Sequence, residues 1–290
     1  MNIYILMALI PAVCWGSIGL ISGRLGGTSY QQTLGMTVGA VIFSLFALFY
    51  FHSHLTGMAL LVGIVSGLCW AVGQFEQFQS MKFIGISRTV PISTGLQLAG
   101  TALAGVVLFG EWNTTRMITL GTIAVIILIA GAVLTSLRDP NAKVAVGDKQ
   151  IQAGKGTVAL VISTVGYILY TVIVKFSGLK AQTILFPQSL GMVLGALIFV
   201  IFSRQQVWHK ATAKNILTGI VWGIGNFFMF MAIPRVGLAI SYSLAQCGIV
   251  ISTFGSIWLL GEKKTGREMV YITIGSLLVV AGGVTLGIMK

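Results

Sequence analysis

The chain has 290 residues, of which 56% are hydrophobic and only 8% are charged, and its mean hydropathy is strongly positive. This composition excludes an ordinary soluble globular protein. The formal net charge of +12 comes from basic residues scattered through short gaps between apolar runs. It therefore indicates orientation in a membrane and argues against binding to nucleic acid.

Apolar runs follow one another along the chain, each close to the length that a helix needs to cross a bilayer. They are continuously apolar and do not alternate with polar residues, which excludes a membrane β-barrel. We therefore predict an all-α polytopic membrane protein with ten transmembrane helices. The runs lie at about 3–22, 32–51, 57–81, 86–109, 116–136, 157–176, 184–203, 213–233, 237–260 and 268–289.

The first five runs and the last five carry the same short motifs. Q-T-L-G-M-T-V-G-A-V-I-F at Gln32–Phe43 recurs as Q-S-L-G-M-V-L-G-A-L-I-F at Gln188–Phe199. The pattern W-x-x-G-Q-F at Trp70–Phe75 recurs as W-x-x-G-N-F at Trp222–Phe227. Such self-similarity predicts a tandem duplication. The predicted units are a first five-helix repeat at 1–136, a polar linker loop at 137–156 and a second five-helix repeat at 157–290.

An odd number of helices in each repeat has a consequence for topology. If the first copy enters the membrane from one side, the second must enter from the other, so the repeats are inverted, as in many secondary transporters. The gaps after the odd-numbered runs hold 13 Lys and Arg residues, whereas the opposite side holds 5. By the positive-inside rule, the first set faces the cytoplasm and both termini face outward.

The third run is the richest in polar side chains. Trp70, Gln74 and Gln77 recur at helical spacing and share one face. An aromatic ring can cover the apolar face of a sugar, and amides can both donate to its hydroxyls and accept from them. We therefore predict a sugar-binding face here. The alternative is that the two glutamines only join neighbouring helices.

Two charged residues near this face are candidates for coupling. Glu76 lies well inside an apolar run, where a carboxylate is protonated, paired or in contact with water. This position suits a proton-coupled carrier, in which Glu76 or Arg88 would handle charge. The alternative is a structural ion pair of Glu76 with Lys82 or Arg88.

Polar side chains in other runs complete the predicted cavity. Thr94 and Gln97 share one face of the fourth run, while Tyr167 lies in the middle of the sixth, where it suits either packing or binding. The predicted substrate-binding residues are Gln32, Trp70, Gln74, Gln77, Thr94, Gln97, Tyr167, Gln188, Asn226 and Gln246.

Motifs of other chemistries are missing from the sequence. It contains no P-loop, no H-E-x-x-H and no G-x-S-x-G. Cys14, Cys69 and Cys247 show no metal-type spacing. We therefore expect no enzyme, no catalytic residue, no metal and no cofactor.

Longer strings carry a family resemblance. They include W-A-V-G-Q at Trp70–Gln74, G-I-S-R-T-V-P-I-S-T-G-L-Q-L-A-G at Gly85–Gly100, P-Q-S-L-G-M at Pro187–Met192 and W-G-I-G-N-F-F-M-F at Trp222–Phe230. Together they resemble the bacterial glucose/ribose uptake family of the drug/metabolite transporter superfamily over essentially the whole chain. The resemblance implies ten helices, inverted five-helix repeats and uptake of a neutral monosaccharide with protons. Glu76 departs from it, since an uncharged residue is expected there, and many superfamily relatives have cytoplasmic termini.

These observations predict a secondary carrier in the bacterial cytoplasmic membrane. It would import glucose, ribose or a similar sugar with protons by alternating access, in contact with lipid and without nucleic acid. One alternative is a drug/metabolite exporter of amino acids or amphipathic cations, in which Glu76 and Trp70 would bind the cation. Another is a membrane sensor or scaffold that does not transport.

Overall fold

The computed structural model describes residues 3–110, 112–139, 152–236, 241, 244–245 and 247–288, and the regular elements among them are all helices. They are α1 (Ile3–Leu25), α2 (Ser29–Tyr50), α3 (Gly57–Ile84), α4 (Ile86–Phe109), α5 (Thr115–Ser136), α6 (Ala153–Ser177), α7 (Ala181–Ser203), α8 (Lys210–Lys214), α9 (Ile216–Val236), α10 (Gly248–Leu259) and α11 (Gly266–Ile288).

Nine helical spans within the described residues are long and apolar enough to cross a membrane. The predicted run at 237–260 is described as a helix over Gly248–Leu259, and much of its remainder lies outside the described residues. Large apolar side chains point outward from the bundle, for example Phe202, which is 84% exposed, and Val107, which is 79% exposed. An apolar exterior needs lipid around it. The prediction of an all-α polytopic membrane protein is therefore confirmed.

Threonine caps set where several helices begin. Thr28 precedes α2, where its hydroxyl accepts from the backbone N–H of Gln31 at 3.3 Å while the Gln31 side chain accepts from the Thr28 N–H at 3.0 Å. The hydroxyls of Thr56 and Thr114 also accept from backbone N–H groups, at the starts of α3 and α5. These caps satisfy backbone donors that a helix start would otherwise leave free, so the local sequence fixes these boundaries.

Helices from the two predicted repeats cross in equivalent pairs. Helix α3 packs between α6 and α7, and its counterpart α9 packs against α1 and α2. A Cβ on Gly67 would lie 2.1 Å from the carbonyl oxygen of Gln188, and one on the equivalent Gly219 would lie 1.9 Å from that of Met36. The same small residue thus allows close crossing in both copies. The boundaries at 136 and 157 stay a prediction.

The connections between helices gather at two ends of the bundle. Arg24 Nη1 donates to the carbonyl of Leu259 at 3.4 Å, and Lys82 Nζ donates to that of Gly27 at 2.8 Å. These contacts lie among the α1–α2, α3–α4 and α10–α11 connections, each of which follows an odd-numbered apolar run of the sequence. At the other end, Ser53 Oγ donates to a backbone carbonyl at the start of α7 at 3.4 Å. We call the end formed by the α1–α2, α3–α4, α7–α8 and α10–α11 connections the basic end.

The largest buried cluster lies where α2, α3, α7 and α9 meet. Its members include Trp70, Phe78, Met36, Met192 and Trp222. Trp70 and Trp222 occupy equivalent places in the two predicted repeats, so the duplicated motif forms the middle of the bundle. The candidate site adjoins this cluster.

Candidate substrate-binding site

Two predicted glutamines on α3 meet a tyrosine on α6. The Tyr167 hydroxyl donates to Gln74 Oε1 at 2.9 Å and also lies 3.3 Å from Gln77 Oε1. Gln74 Nε2 donates to Gln77 Oε1 at 3.4 Å. Tyr167 and Gln74 are buried, and Gln77 is half-buried. Gln74 and Gln77 therefore lie on one face of α3, as their helical spacing predicted. Together with Tyr167 they form one hydrogen-bonded group.

The same group continues onto α4. Gln77 Nε2 donates to Ser93 Oγ at 2.8 Å, and Gln97 Nε2 donates to the same oxygen at 2.8 Å. We call Gln74, Gln77, Ser93, Gln97 and Tyr167 the amide network. It joins α3 and α4 of the first predicted repeat to α6 of the second.

A glycine allows the tyrosine to reach this position. A Cβ on Gly73 would lie 3.0 to 3.1 Å from atoms of the Tyr167 ring, closer than ordinary packing permits. The hydroxyl of Ser163, one turn away on α6, donates to the Gly73 carbonyl at 2.7 Å. Close crossing and this bond together fix the Tyr167 hydroxyl over the α3 amides.

Aromatic rings border the amide network. The Trp70 ring lies edge-on to that of Tyr167 with centroids 6.2 Å apart, and edge-on to that of Trp222 with centroids 5.4 Å apart. Trp15 Nε1 donates to the Trp222 carbonyl at 3.3 Å. These edge-to-face contacts hold the rings in place next to the polar groups.

The chemistry of the amide network suits an uncharged ligand rich in hydroxyl groups. Its members present amide and hydroxyl groups, which both donate and accept hydrogen bonds, and none carries a charge. In the structure these groups bond to one another, so a ligand would have to replace bonds that already exist. Hydroxyl groups can do so at little net loss of hydrogen bonding.

Two predicted site residues instead join helices elsewhere. Gln32 is buried, and its Nε2 donates to the carbonyl of Ser22 at 3.0 Å, near the end of α1. Gln188 Nε2 donates to Ser66 Oγ on α3 at 3.1 Å, about two turns from Gln74. The structure therefore does not bring either residue into the amide network.

The remaining predicted residues have different positions. Asn226 Nδ2 donates to the carbonyl of Trp222 on its own helix at 2.9 Å, beside the aromatic rings. Thr94 is half-buried on α4, and the network runs through its neighbour Ser93. Gln246 lies outside the described residues.

Glu76 lies on a different side of α3 from the amide network. It is half-buried and shares its helix face with exposed Val65 and half-buried Val72 and Phe83. Trp70 is about 120° away around the helix by α-helical geometry. The structure thus places the Glu76 carboxyl outside the network, and its part in coupling stays a prediction.

Arg88 has a partner that the sequence did not indicate. Its Nη2 donates to Glu268 Oε1 on α11, and both side chains are buried. This ion pair lies at the basic end. The predicted alternative of a pair between Glu76 and Arg88 is therefore not the contact that forms in the structure.

Sequence reasoning left Ser93, Trp15, Glu262 and Glu268 out of the candidate site. Ser93 stands four residues before Gln97, a spacing that places the two side chains together on a helix. The G-E pair at Gly261–Glu262 repeats the G-E pair at Gly110–Glu111, and this repetition was a signal for Glu262. Glu268 gave no comparable signal, because its partner is distant in sequence.

Comparisons with known proteins agree over nearly the whole length. A family model described as "Sugar transport protein" matches residues 6–289. The chain is 57% identical over 289 residues to a protein of Lactiplantibacillus plantarum named "Putative sugar uptake protein", covering 99% of each chain. It is 46% identical over 286 residues to "Glucose uptake protein GlcU" of Bacillus subtilis, covering 99% of this chain and 98% of that one.

One solved crystal structure shares the fold. It covers 100% of this chain and 99% of its own with a TM-score of 0.64, at 16% sequence identity. At that identity the similarity supports the architecture alone.

Proposed function

The chain belongs to the sugar transport protein family, and from this membership we propose that it is a secondary carrier that imports a neutral monosaccharide of the glucose or ribose class. It is a multi-pass protein of the cell membrane. The names of its relatives support a sugar as substrate. The chemistry of the site supports a sugar without charge.

The amide network is the observation that carries this proposal. Amide and hydroxyl groups from three helices meet beside the Trp70 ring, so polar and apolar surfaces adjoin. A monosaccharide has the same two surfaces, with hydroxyls at its edge and C–H groups on its face. A charged substrate would instead need an opposite charge close to this group.

Transport by alternating access is part of the proposal, and the positions of the network members support it. Tyr167 belongs to the second predicted repeat, whereas Gln74 and Gln77 belong to the first. If the two halves rock against each other, bonds across this seam separate and re-form around the substrate. The sugar would then be released toward the side that opens.

Proton coupling is part of the proposal, with Glu76 as the candidate carboxylate. An ionisable side chain within a membrane-spanning helix is a common element of proton relays. Because Glu76 lies outside the amide network, it would act through its charge and not by contact with the sugar. Arg88 is engaged with Glu268 and is a weaker candidate for this role.

Uptake into liposomes containing the purified protein tests the function. We expect labelled glucose or ribose to enter, and an inward proton gradient to accelerate entry. We also expect preloaded unlabelled sugar to drive counterflow, which a sensor or scaffold would not show. Absence of both uptake and counterflow across a panel of neutral monosaccharides would remove the sugar-carrier proposal.

A substitution of Glu76 tests the proposed proton coupling separately from sugar transport. Glu76→Gln should keep counterflow and lose the acceleration by the proton gradient, since counterflow needs no driving ion. Gradient-driven uptake that persists in this variant would exclude Glu76. An exporter of amphipathic cations would be recognised by cation efflux that depends on Glu76, with no sugar counterflow.

A further inference from the structure

A buried ion pair joins the two predicted repeats at the basic end. Arg88 lies in the first turn of α4 and Glu268 in the first turn of α11, and their side chains are 2% and 9% exposed. Removing one partner from such a pair is strongly destabilising, because the other charge stays buried without compensation. The pair therefore holds α4 against the second repeat.

A second carboxylate, Glu262 in the connection between α10 and α11, binds the start of α4. Glu262 Oε1 accepts from the backbone N–H of Ile86 at 2.5 Å, and Glu262 Oε2 accepts from the Ser87 hydroxyl at 2.5 Å. Gly85 precedes them with φ +88°, and a Cβ there would lie 2.8 Å from Glu262 Oε2. A carboxylate at a helix N-terminus satisfies free N–H groups and complements the helix dipole.

Other basic groups surround these two carboxylates. Lys264 Nζ lies 3.4 Å from Glu262 Oε2, and its side chain is only 6% exposed. Burial lowers the pKa of the Lys264 ammonium, an effect that the neighbouring Glu262 partly offsets. Arg138, at the end of α5, is close enough to interact electrostatically with Arg88 and Glu268. The cluster is thus rich in charge and partly shielded from water.

The ion pair leaves hydrogen-bonding groups unused. Arg88 Nε and Nη1 are buried and have no hydrogen-bond partner within the described part of the chain. Each buried donor without a partner costs about 1 to 3 kcal/mol. Within the described residues the hydrogen bonding of Arg88 is therefore incomplete, which suits a contact that can also break.

The helix held in this way, α4, also carries two of the five members of the amide network. Ser93 follows Arg88 by five residues, about 7.5 Å along a helix axis. Gln97 lies one turn further. Any movement of the α4 N-terminus away from the second repeat would therefore shift Ser93 and Gln97 relative to Tyr167.

We propose that Glu262 and Glu268 form a latch that closes the basic end of the carrier by holding α4, and that this latch releases when the basic end opens. The inference rests on the proposed transport function. It assigns to Arg88 and the two carboxylates a positioning role in gating, with no direct contact to the sugar.

Thiol accessibility measures the latch directly. Val90 is half-buried on α4, between Arg88 and Ser93. The reporter is Val90→Cys in a chain whose three native cysteines are replaced by alanine, labelled from the basic end with a membrane-impermeant maleimide.

Glu268→Gln should raise the labelling rate at least about fivefold, since a latch of about 1 kcal/mol accounts for that factor. The exchange Arg88→Glu with Glu268→Arg should bring the rate back toward the starting value.

A matched control comes from the same end of the bundle. Arg267 is 64% exposed and pairs with Asp139 at 3.8 Å, so Arg267→Gln should leave the labelling rate unchanged. Unchanged rates in folded Glu262→Gln and Glu268→Gln proteins would overturn the latch. If neither protein folds, Arg88→Lys takes their place, since it keeps the charge and loses the guanidinium shape; an unchanged rate there would also overturn the latch.

The labelling and transport experiments distinguish a failure of the latch proposal from a failure of the proposed function. A latch variant that labels faster in a protein without sugar counterflow would support the latch and contradict the proposed substrate. Sugar counterflow together with an unchanged labelling rate in every latch variant would support the proposed substrate and contradict the latch.

Discussion

Helices α3 and α9 are the same element of the two predicted repeats, yet only α3 contributes amides to the network. The residues of α3 that face the centre are Trp70, Gly73, Gln74 and Gln77. Their equivalents on α9 are Trp222, Gly225, Asn226 and Met229. Both helices keep the tryptophan and the glycine, and they differ at the two polar positions.

Side-chain length and polarity explain the different outcomes. Gln74 reaches across to the Tyr167 hydroxyl on another helix, whereas Asn226, one methylene shorter, bonds to the Trp222 carbonyl on its own helix. Met229 replaces the second amide by a thioether that is a weak acceptor. The two helices of the predicted repeats therefore share their packing, whereas only α3 contributes amides to the network.

The largest expected effect concerns the packing that α3 and α9 share. Gly67→Val and Gly219→Val each place atoms against a backbone carbonyl, so each should lower the free energy of unfolding by at least about 2 kcal/mol. Yield of monodisperse protein and thermal unfolding in detergent measure this. Gly57→Val is the control, because a Cβ at Gly57 meets nothing within 4 Å. A well-folded Gly219→Val would break the equivalence of the two helices.

The next effect concerns the polar positions at which α3 and α9 differ. Gln74→Ala removes bonds to Tyr167 and Gln77, and we expect the half-saturation concentration for sugar uptake to rise about tenfold, equivalent to about 1.4 kcal/mol. Asn226→Ala should change it less than about threefold, because its bond stays within one helix. Equal effects of the two substitutions would show that both repeats contact the substrate alike.

A smaller effect is expected at the aromatic residues that face these helices. Tyr167 lies against Gly73, and Trp15 occupies the equivalent place against Gly225. Tyr167→Phe keeps the ring and loses the hydroxyl, so the half-saturation concentration should rise about three- to tenfold with little change in melting temperature. Trp15→Phe loses a bond to the Trp222 carbonyl and should mainly lower the melting temperature. The reverse pattern would place the polar contacts on α9.

The smallest effect is expected at the repeated glutamines of α2 and α7. Gln32→Ala and Gln188→Ala each remove a bond between helices and should lower the free energy of unfolding by about 1 kcal/mol. The half-saturation concentration should stay within about twofold, measured by the same uptake assay. A tenfold rise for either would return that residue to the substrate-binding set predicted from sequence.

Sequence periodicity was sufficient to predict which residues of α3 lie together on one face of the candidate site. The spacing of Trp70, Gln74 and Gln77 predicted a common face, because helical geometry alone determines which residues of one helix lie together. The same reasoning placed Glu76 about 120° away. The residues that share the face of Glu76 are exposed or half-buried, so this side of α3 is turned away from the amide network.

Contacts between helices were beyond such reasoning. Gln32 and Gln188 were predicted to bind substrate because a polar side chain in an apolar run needs a partner, but the sequence does not tell whether that partner is a ligand or a neighbouring helix. Arg88 was recognised as a charged residue, while Glu268 was not recognised as its partner. The two stand 180 residues apart and meet only after the repeats have assembled.

The sequence by itself determined the membrane class and placed most of the helices to within a few residues, because length, hydropathy and capping act over a few neighbouring residues. The duplication stays a prediction from the repeated motifs. The tertiary structure decided which polar side chains meet, and therefore which of them form the candidate site and which join helices elsewhere. That choice depends on how closely helices cross at glycines and on how far each side chain reaches across the gap, and both are properties of pairs of distant segments.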